Sequence, residues 1–185
     1  MKTTSRILVI DLEATCWAGH TPENQTSEII EIGICILDTS SGCITRNEGI
    51  LIKPTLSEVS EFCTELTTIT PEMLEQQGVS FSIACETLRS MQDNQALTWA
   101  SYGAYDKNMV KRQCAQMDIR YPLSEDHINV KELFAQQKNL NRKVGMNGAL
   151  QILDIPLEGT HHRGVDDAKN IAKILCWCLN VDGKT

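Results

Sequence analysis

The chain has few of the features that mark membrane, secreted or disordered proteins. No apolar run approaches the roughly 18 residues that span a bilayer, and no small-residue cleavage site follows the short apolar stretch near the N-terminus. Only five prolines occur in 185 residues, and no tract has a biased composition, so disorder is not indicated. We therefore expect a cytoplasmic globular protein with a single domain, residues 1–185.

Basic residues are scarce relative to acidic ones, with 17 Lys and Arg against 24 Asp and Glu and a net charge of −7. This balance argues against a protein that grips long nucleic acid through a broad cationic face. It remains compatible with an enzyme that cleaves phosphodiesters. A site built of carboxylates is acidic by construction, and its bound cations supply the local positive charge.

The cysteines are numerous, but they form no CxxC pair. Neither a zinc ribbon nor a thioredoxin-like redox site is therefore indicated. The cysteines are scattered through apolar segments of a mid-sized chain, which is unlike a compact disulfide framework. We expect reduced thiols in the core at Cys16, Cys35, Cys43, Cys63, Cys85, Cys114, Cys176 and Cys178.

Hydrophobic periodicity predicts strands first, and then strands that alternate with helices. Strands are predicted at 7–10, 28–37, 49–52, 95–100 and 127–130, and helices at 71–77, 81–91, 104–117, 147–153 and 165–179. Thr70 and Pro71 supply a cap and a first-turn proline for the first of these helices. This order of elements predicts an α/β fold with a mixed sheet flanked by helices.

Three acidic residues occupy positions that suit a metal site. Asp11 and Glu13 are two residues apart at the end of the first strand, so both side chains point to one face and one cation can contact both. The alternative is a solvated acidic pair. Asp106 lies in the first turn of its helix, where it complements the dipole, but it also shares the inner stripe with Met109 and Val110. A carboxylate on that stripe needs a cation or strong hydrogen bonds.

The last helix contains two adjacent aspartates that the helical period separates. Steps of four and seven residues from Asp167 reach Ile171 and Ile174, whereas a step of four from Asp166 reaches Asn170. The period of 3.6 residues therefore predicts that Asp167 faces the core and that Asp166 faces water.

Two histidines precede these aspartates, and their spacing selects one of them. His162 lies five residues before the inward-facing Asp167, whereas His161 lies five residues before Asp166. Gly164 allows the intervening loop to fold tightly. We therefore predict that His162 stands over the acidic cluster, with an ordinary surface histidine as the alternative.

Three stretches of the sequence resemble the motifs of the DEDD superfamily of 3′→5′ exonucleases, in its histidine-containing (DEDDh) branch. They are DLEATCW with Asp11 and Glu13, YGAYD with Asp106, and HRGVDDAKNIAKI with His162 and Asp167. Within the superfamily the chain is most similar to the ERI group, which processes histone mRNA and small RNA, because it contains FCTELTTIT at residues 62–70. The resemblance extends over nearly the whole chain.

The resemblance implies a ribonuclease H-like fold, with a five-stranded mixed sheet flanked by helices. It also implies two bound Mg²⁺ ions, for which Mn²⁺ can substitute. Asp11, Glu13 and Asp167 bind them directly, and Asp106 completes the site. His162 is then the general base, since a histidine with an ordinary pKa near 6.5 can accept a proton from water at neutral pH.

The resemblance also implies residues that bind the substrate. Phe62, Leu66 and Tyr105 flank the terminal base, and the backbone near Ala14 meets the 3′ end. For Phe62 and Leu66 the alternative is an ordinary core position. Thr68 departs from the family pattern, which usually has glycine there, and its bulk is expected to alter the fit of the penultimate nucleotide.

Together these features predict a 3′→5′ exonuclease that releases nucleoside 5′-monophosphates from the 3′ ends of single-stranded RNA or DNA, with RNA favoured. Two cations about 3.5–4 Å apart stabilise the attacking and leaving oxygens in such a reaction. Two alternatives remain open. One is an oligoribonuclease-like enzyme that degrades very short RNA, and the other is a non-catalytic nucleic-acid-binding module of the same fold. No association with a membrane is expected.

Overall fold

The computed structural model describes residues 6–92 and 97–179, and the helices and strands named below lie within these ranges. The strands are β1 (Arg6–Ala14), β2 (Ile29–Asp38), β3 (Ile44–Leu51), β4 (Trp99–Ser101) and β5 (His127–Asn129). The helices are α1 (Glu61–Thr67), α2 (Pro71–Gln77), α3 (Phe81–Ser90), α4 (Tyr105–Gln116), α5 (Val130–Gln137), α6 (Met146–Ile152) and α7 (Gly164–Cys178). The five helices predicted from the sequence are confirmed, each within one residue at either end.

The five strands form one mixed sheet in the order β3-β2-β1-β4-β5. β1 pairs antiparallel with β2 and parallel with β4, β2 pairs antiparallel with β3, and β4 pairs parallel with β5. The predicted mixed sheet is therefore confirmed. Within the described residues, no helix is both long and apolar enough to cross a membrane.

The structure differs from the sequence prediction at the sheet edge and at two short helices. β3 begins earlier than predicted, at Ile44, which pairs with Leu37 of β2. The first half of β3 is mostly polar and exposed, so it lacks the apolar pattern by which strands are predicted. α1 and α5 are short helices that periodicity did not indicate, and side-chain caps from Ser60 and Asn129 start them. Val130, predicted at the end of a strand, begins α5. Residues 95–96 of the predicted strand 95–100 lie outside the described residues.

The sheet is covered by apolar packing on both faces, and β1 at its centre contributes to each. Leu8 and Ile10 pack in the cluster that includes α3 and α4. Ile7 and Val9 point the other way, into the cluster that includes α5, α6 and α7. Because side chains alternate along a strand, the odd-numbered positions that follow Val9 also face α7.

The eight cysteines are reduced thiols, and six of them are buried as predicted. Cys43 is exposed and Cys16 is only partly buried. The core assignment was wrong for Cys43 because this residue lies in the turn between β2 and β3. A solvent-facing connection of this kind follows the predicted turn formers at 39–42.

α7 approaches β2 so closely that both contact positions need glycine. A Cβ atom at Gly33 would lie 1.8 Å from the carbonyl carbon of Gly164, and a Cβ atom at Gly164 would lie 2.9 Å from the nitrogen of Gly33. Gly33 is the register partner of Asp11. The contact therefore seats the start of α7, with Asp167 in its first turn, beside the end of β1.

We expect Gly33→Ala to lower the free energy of unfolding by about 3 kcal/mol or more, because the added methyl group meets backbone that cannot move without displacing α7. Gly148→Ala is a matched control. Its methyl group would meet only Val144, at 3.5 Å, and alanine favours the interior of α6 by about 0.5–1 kcal/mol. Urea unfolding measures both variants. A Gly33→Ala protein as stable as wild type would contradict the close packing.

Candidate active site

Three carboxylates meet at the end of β1. Asp11 and Glu13 come from the strand, and Asp167 comes from the first turn of α7. Each offers a carboxylate oxygen, and these atoms all lie within 4.8 Å of one another. Glu13 and Asp167 are buried, and Asp11 is partly buried. Residues more than 150 positions apart in the chain thus share one spot where a cation can contact all three.

Asp106 lies beside this group but outside the set of carboxylates that fall within 4.8 Å among the described residues. It is buried in the first turn of α4, on the same side as Met109 and Val110, as its position on the inner stripe predicted. One of its oxygens accepts a hydrogen bond from the backbone N–H of Leu12 at 3.1 Å. Asp106 is therefore tied to β1 between Asp11 and Glu13.

Burial and mutual repulsion raise the pKa values of these acids. Burial raises the pKa of Asp11 well above its usual range, and the charges of Asp106 and Glu13 add to the rise. The pKa of Glu13 rises to about 8, through burial and then through Asp167 and Glu31. Burial raises the pKa of Asp106 to about 6 and also raises that of Asp167, although hydrogen bonds oppose both shifts. At neutral pH the cluster therefore favours uptake of protons or cations.

Glu31 is a fifth acid at this site that sequence reasoning missed. It is the register partner of Glu13 on β2, and its side chain is almost fully buried. Its carboxylate accepts hydrogen bonds from the backbone N–H of Gly164 at 2.8 Å and from Arg163 Nε at 3.3 Å. Glu31 therefore caps the start of α7 and has a cationic partner. The available signal was a glutamate inside the isoleucine-rich segment of β2, where a charge needs compensation.

Both histidines lie against Asp167, but not in the way their spacing suggested. The backbone N–H of His162 donates to Asp167 Oδ2 at 2.9 Å, whereas the side chain in contact with that oxygen is His161, through Nδ1 at 3.0 Å. The His162 ring stacks on the His161 ring, with centroids 4.0 Å apart. His162 has a φ of 65°, so the loop turns sharply there and presents both rings to the carboxylate.

The ring of His162 is biased toward its neutral form. Burial lowers the pKa of His162, and the nearby His161 lowers it further, while Asp167 acts in the opposite direction. One ring nitrogen of His161, one ring nitrogen of His162 and a carboxylate oxygen of Asp167 all lie within 4.8 Å of one another. The structure thus places the His162 ring beside Asp167, but the imidazole that directly contacts this carboxylate is that of His161, which the spacing had not selected.

The prediction that Asp166 faces water was incomplete. Its Oδ2 accepts a hydrogen bond from the backbone N–H of Thr160 at 2.8 Å. Asn170, expected on the same solvated face, is fully buried and donates through Nδ2 to the carbonyl oxygen of Glu158 at 2.9 Å. The segment before α7 folds back over this face, which helical periodicity alone does not reveal. Asp167, in contrast, faces inward as predicted.

The residues predicted to flank a terminal base are exposed rather than packed in the core. Phe62 and Leu66 lie one turn apart on α1 and are 38% and 37% exposed, and Tyr105, at the start of α4, is 59% exposed. The core alternative for Phe62 and Leu66 is therefore wrong. Ala14 lies at the end of β1, where its carbonyl oxygen accepts a hydrogen bond from Cys63 Sγ of α1. Thr68 ends α1 with a left-handed backbone.

The residues at this site fit a divalent cation. The converging atoms are carboxylate oxygens, which are the hard ligands that Mg²⁺ and Mn²⁺ prefer. Buried carboxylates are stable only when paired or bound to metal, and the nearby Arg163 is already engaged by Glu31. Asp11, Glu13 and Asp167 therefore form the part of the site best suited to hold a cation.

Solved structures share this fold. The nuclease domain of 3′hExo, described as a DEDDh family member bound to rAMP, superposes with a TM-score of 0.88 at 26% identity, covering 98% of this chain and 94% of that chain. A 3′-exonuclease studied for 3′-end-specific recognition of histone mRNA stem-loop gives a TM-score of 0.86 at 26% identity, covering 97% of this chain and 83% of that one. The fold is that of the RNase H-like exonuclease domains.

The chain belongs to the Exonuclease (RNase_T) family, whose sequence model matches residues 8–175. Similar proteins include ERI1 exoribonuclease 2 of Xenopus laevis, 27% identical over 91% of this chain and 27% of that protein. The 3′-5′ exoribonuclease 1 of Rattus norvegicus is 29% identical over 91% of this chain and 51% of that protein. The chain therefore spans about half or less of the length of these relatives.

The raised pKa of Glu13 predicts a pH-dependent stability. The folded protein holds a proton at Glu13 up to about pH 8, whereas the unfolded chain loses it near the ordinary value of 4.5. Folding therefore takes up a proton between these values, and this contribution to stability falls as pH rises through that window. In chelator, we expect the Tm of wild type, relative to that of Glu13→Gln, to fall between pH 5 and pH 8.

Added Mg²⁺ should raise the Tm of wild type more at pH 8 than at pH 5, because protons compete with the cation for the same oxygens. Glu13→Gln should show a smaller Mg²⁺ effect at both values. Thermal unfolding at matched ionic strength gives the comparison. A Tm difference between the two proteins that does not change with pH would contradict the shifted pKa.

Proposed function

We propose that the chain is a metal-dependent 3′→5′ exonuclease that degrades single-stranded RNA from its 3′ end and releases nucleoside 5′-monophosphates. The observation that carries this proposal is the meeting of Asp11, Glu13 and Asp167 within 4.8 Å, with His162 beside them, in a member of the Exonuclease family. The similar proteins named as exoribonucleases support RNA as the substrate class.

Asp11, Glu13 and Asp167 would hold the cations directly, and Asp106 would complete the site from its buried position beside β1. Two Mg²⁺ ions are proposed, with Mn²⁺ able to substitute. Such ions supply charge stabilisation for the attacking and leaving oxygens of the phosphodiester. The protein's own task is to hold mutually repelling carboxylates in place, which the close packing of α7 on β2 accomplishes.

His162 is proposed as the general base that accepts a proton from the attacking water. Its lowered pKa keeps the imidazole neutral near pH 7, which is the form that accepts a proton. Its backbone bond to Asp167 holds the loop against the acidic cluster, and the stacked His161 restricts the ring. The arrangement therefore provides both the correct protonation state and a defined orientation.

Phe62, Leu66 and Tyr105 are proposed to receive the 3′-terminal base. Their exposed apolar surfaces lie on the two helices, α1 and α4, that begin or pack near the end of β1. Stacking on aromatic and aliphatic side chains tolerates every base, so cleavage should not depend on sequence. The backbone at Ala14 follows Glu13 directly and contacts Cys63 of α1, and we propose that the 3′ end meets it there.

A time course on 5′-labelled single strands tests the proposal. RNA and DNA of matched sequence, at lengths from about 3 to 30 nucleotides, are incubated with Mg²⁺, with Mn²⁺ or with chelator, and the products are identified by mass spectrometry. Stepwise shortening of RNA to nucleoside 5′-monophosphates in metal alone is the expected result. Activity confined to the shortest RNA would favour the oligoribonuclease-like alternative. Binding without cleavage would favour the non-catalytic module.

His162→Ala should lower kcat by about 10²–10⁴-fold, because the general base is lost, while Mg²⁺ still raises the Tm. His20→Ala is the matched control, since His20 lies in an exposed part of the β1–β2 connection and should leave both values unchanged. Single-strand turnover and thermal unfolding in Mg²⁺ measure the two effects. Normal turnover in His162→Ala would remove the assigned base.

The adjacent aspartates offer a second paired comparison. Asp167→Asn removes a charge from the acidic cluster and should lose most turnover together with most of the Mg²⁺-dependent rise in Tm. Asp166→Asn retains an oxygen that can accept the Thr160 hydrogen bond and should remain largely active. Equal losses in the two variants would contradict the separation of their roles.

A further inference from the structure

Thr68 has a backbone conformation that threonine rarely adopts. It forms the C-cap of α1 with a φ of 62° and a ψ of 8°, in the left-handed region. There the β-carbon crowds the following carbonyl oxygen, so the position favours glycine over a β-branched residue. Backbone strain of this kind persists where surrounding contacts over-determine the conformation, and it clusters at functional sites.

The Thr68 side chain has a partner that links it to the acidic site. Arg163 Nη1 donates a hydrogen bond to Thr68 Oγ1 at 3.3 Å. The same guanidinium contacts Glu31 through Nε at 3.3 Å and through Nη2 at 3.4 Å. Glu31 is itself fixed by the backbone N–H of Gly164. Arg163 therefore joins the end of α1 to β2 and to the start of α7.

This bridge connects the two halves of the proposed site. On one side, α1 presents the exposed side chains of Phe62 and Leu66. On the other side, His162 immediately precedes Arg163, and Asp167 lies in the first turn of α7. The position of α1 relative to α7 thus decides how far the bound base lies from the carboxylates.

α1 is short, and it is anchored by its buried residues and by the buried Ile69 that follows Thr68. It contains seven residues, of which Cys63 and Thr67 are buried. Helices this short depend on tertiary contacts rather than on their own hydrogen bonds. Cys63 anchors the first half of α1 through its contact with Ala14, and the bond from Arg163 reaches the residue that ends the helix.

We propose that the hydrogen bond between Arg163 and Thr68 is a positioning contact. It sets the separation between the face of α1 that receives the 3′-terminal base and the carboxylates that hold the cations. The proposal rests on the proposed function. Thr68 and Arg163 act through α1 and do not touch the reacting atoms. Glycine at position 68 would relieve the backbone strain, but it has no side-chain acceptor for the hydrogen bond from Arg163.

Three substitutions of Thr68 separate the hydroxyl from the backbone strain. Thr68→Val removes the hydroxyl and keeps the branched shape, Thr68→Ser keeps the hydroxyl, and Thr68→Gly removes the hydroxyl while relieving the strain. We expect Thr68→Val and Thr68→Gly to raise KM for single-stranded RNA by about three- to tenfold, with kcat within about twofold of wild type. Thr68→Ser should remain close to wild type in both constants.

Stability should move in the opposite direction for glycine. Relief of the left-handed strain should raise the Tm of Thr68→Gly by about 2–4 °C even as its KM rises, and a purely structural role for Thr68 would not produce this pair of changes. Asp118→Gly is the control. Asp118 also has a positive φ, of 52°, but it follows α4 at the end opposite Asp106. It should raise Tm slightly without any change in KM.

Amide hydrogen exchange tests the contact without relying on activity. Exchange in α1 should be faster in Thr68→Val than in wild type or Thr68→Ser, while exchange in α7 is unchanged. An unchanged KM in Thr68→Val, or unchanged exchange in α1, overturns the proposal. If wild type shows no metal-dependent cleavage, the proposed function fails, and the exchange data then decide alone whether Thr68 positions α1.

Discussion

Repulsion among buried carboxylates is the constraint on which the rest of this structure depends. Carboxylate oxygens of Asp11, Glu13 and Asp167 lie within 4.8 Å of one another, and burial raises the pKa of each residue. The nearby cationic side chain, Arg163, is paired with Glu31, and its charge only partly opposes the rise in the pKa of Glu13. The folded state therefore favours uptake of protons or divalent cations at this point, which couples the stability of the domain to the chemistry of its site.

Backbone packing, rather than attraction between the side chains, holds these carboxylates close together. Gly33 and Gly164 allow α7 to approach β2 closely, and the register of β2 with β1 places Asp11 opposite Gly33. Glu31 caps the start of α7, which fixes the helix end from which Asp167 projects. The apolar side of α7 packs in a large cluster against the sheet. The burial of these apolar side chains stabilises the fold and offsets the repulsion among the carboxylates.

Among the described non-glycine residues with positive φ, the two that are neither Asn nor Asp lie near the same centre. His162 and Thr68 both have positive φ values, although neither is glycine, and Arg163 lies next to one in sequence and in contact with the other. The two residues with positive φ therefore lie on either side of the contact between Arg163 and Thr68. This contact joins the loop that carries the histidines to α1, which presents exposed apolar side chains. Strain at such a place is consistent with preorganisation of a site, because the geometry is held before any substrate arrives.

Local patterns were sufficient for α2, α3, α4, α6 and α7 and for the inward direction of Asp106 and Asp167, because the helical repeat is set within a few residues of chain. They did not indicate the short helices α1 and α5. The adjacent motif residues Asp11 and Glu13 could likewise be placed on one face of a strand. What the sequence did not reveal was the solvent exposure of Phe62 and Leu66, the capping role of Glu31, the burial of Asn170, and the contact of Asp167 with the ring of His161. Each of these depends on a partner that is distant in sequence or on how a loop folds.

The sequence by itself therefore determined the mixed α/β architecture and the identity of the acids that could converge. The tertiary structure alone decided which of them share a cation-sized space, which acid is paired with arginine, and which imidazole touches the carboxylate. The physical reason is that a residue pattern shows only which side of its own helix or strand a side chain occupies. Distances between residues such as Asp11 and Asp167 are set by the packing of α7 on the sheet, and no local pattern contains them.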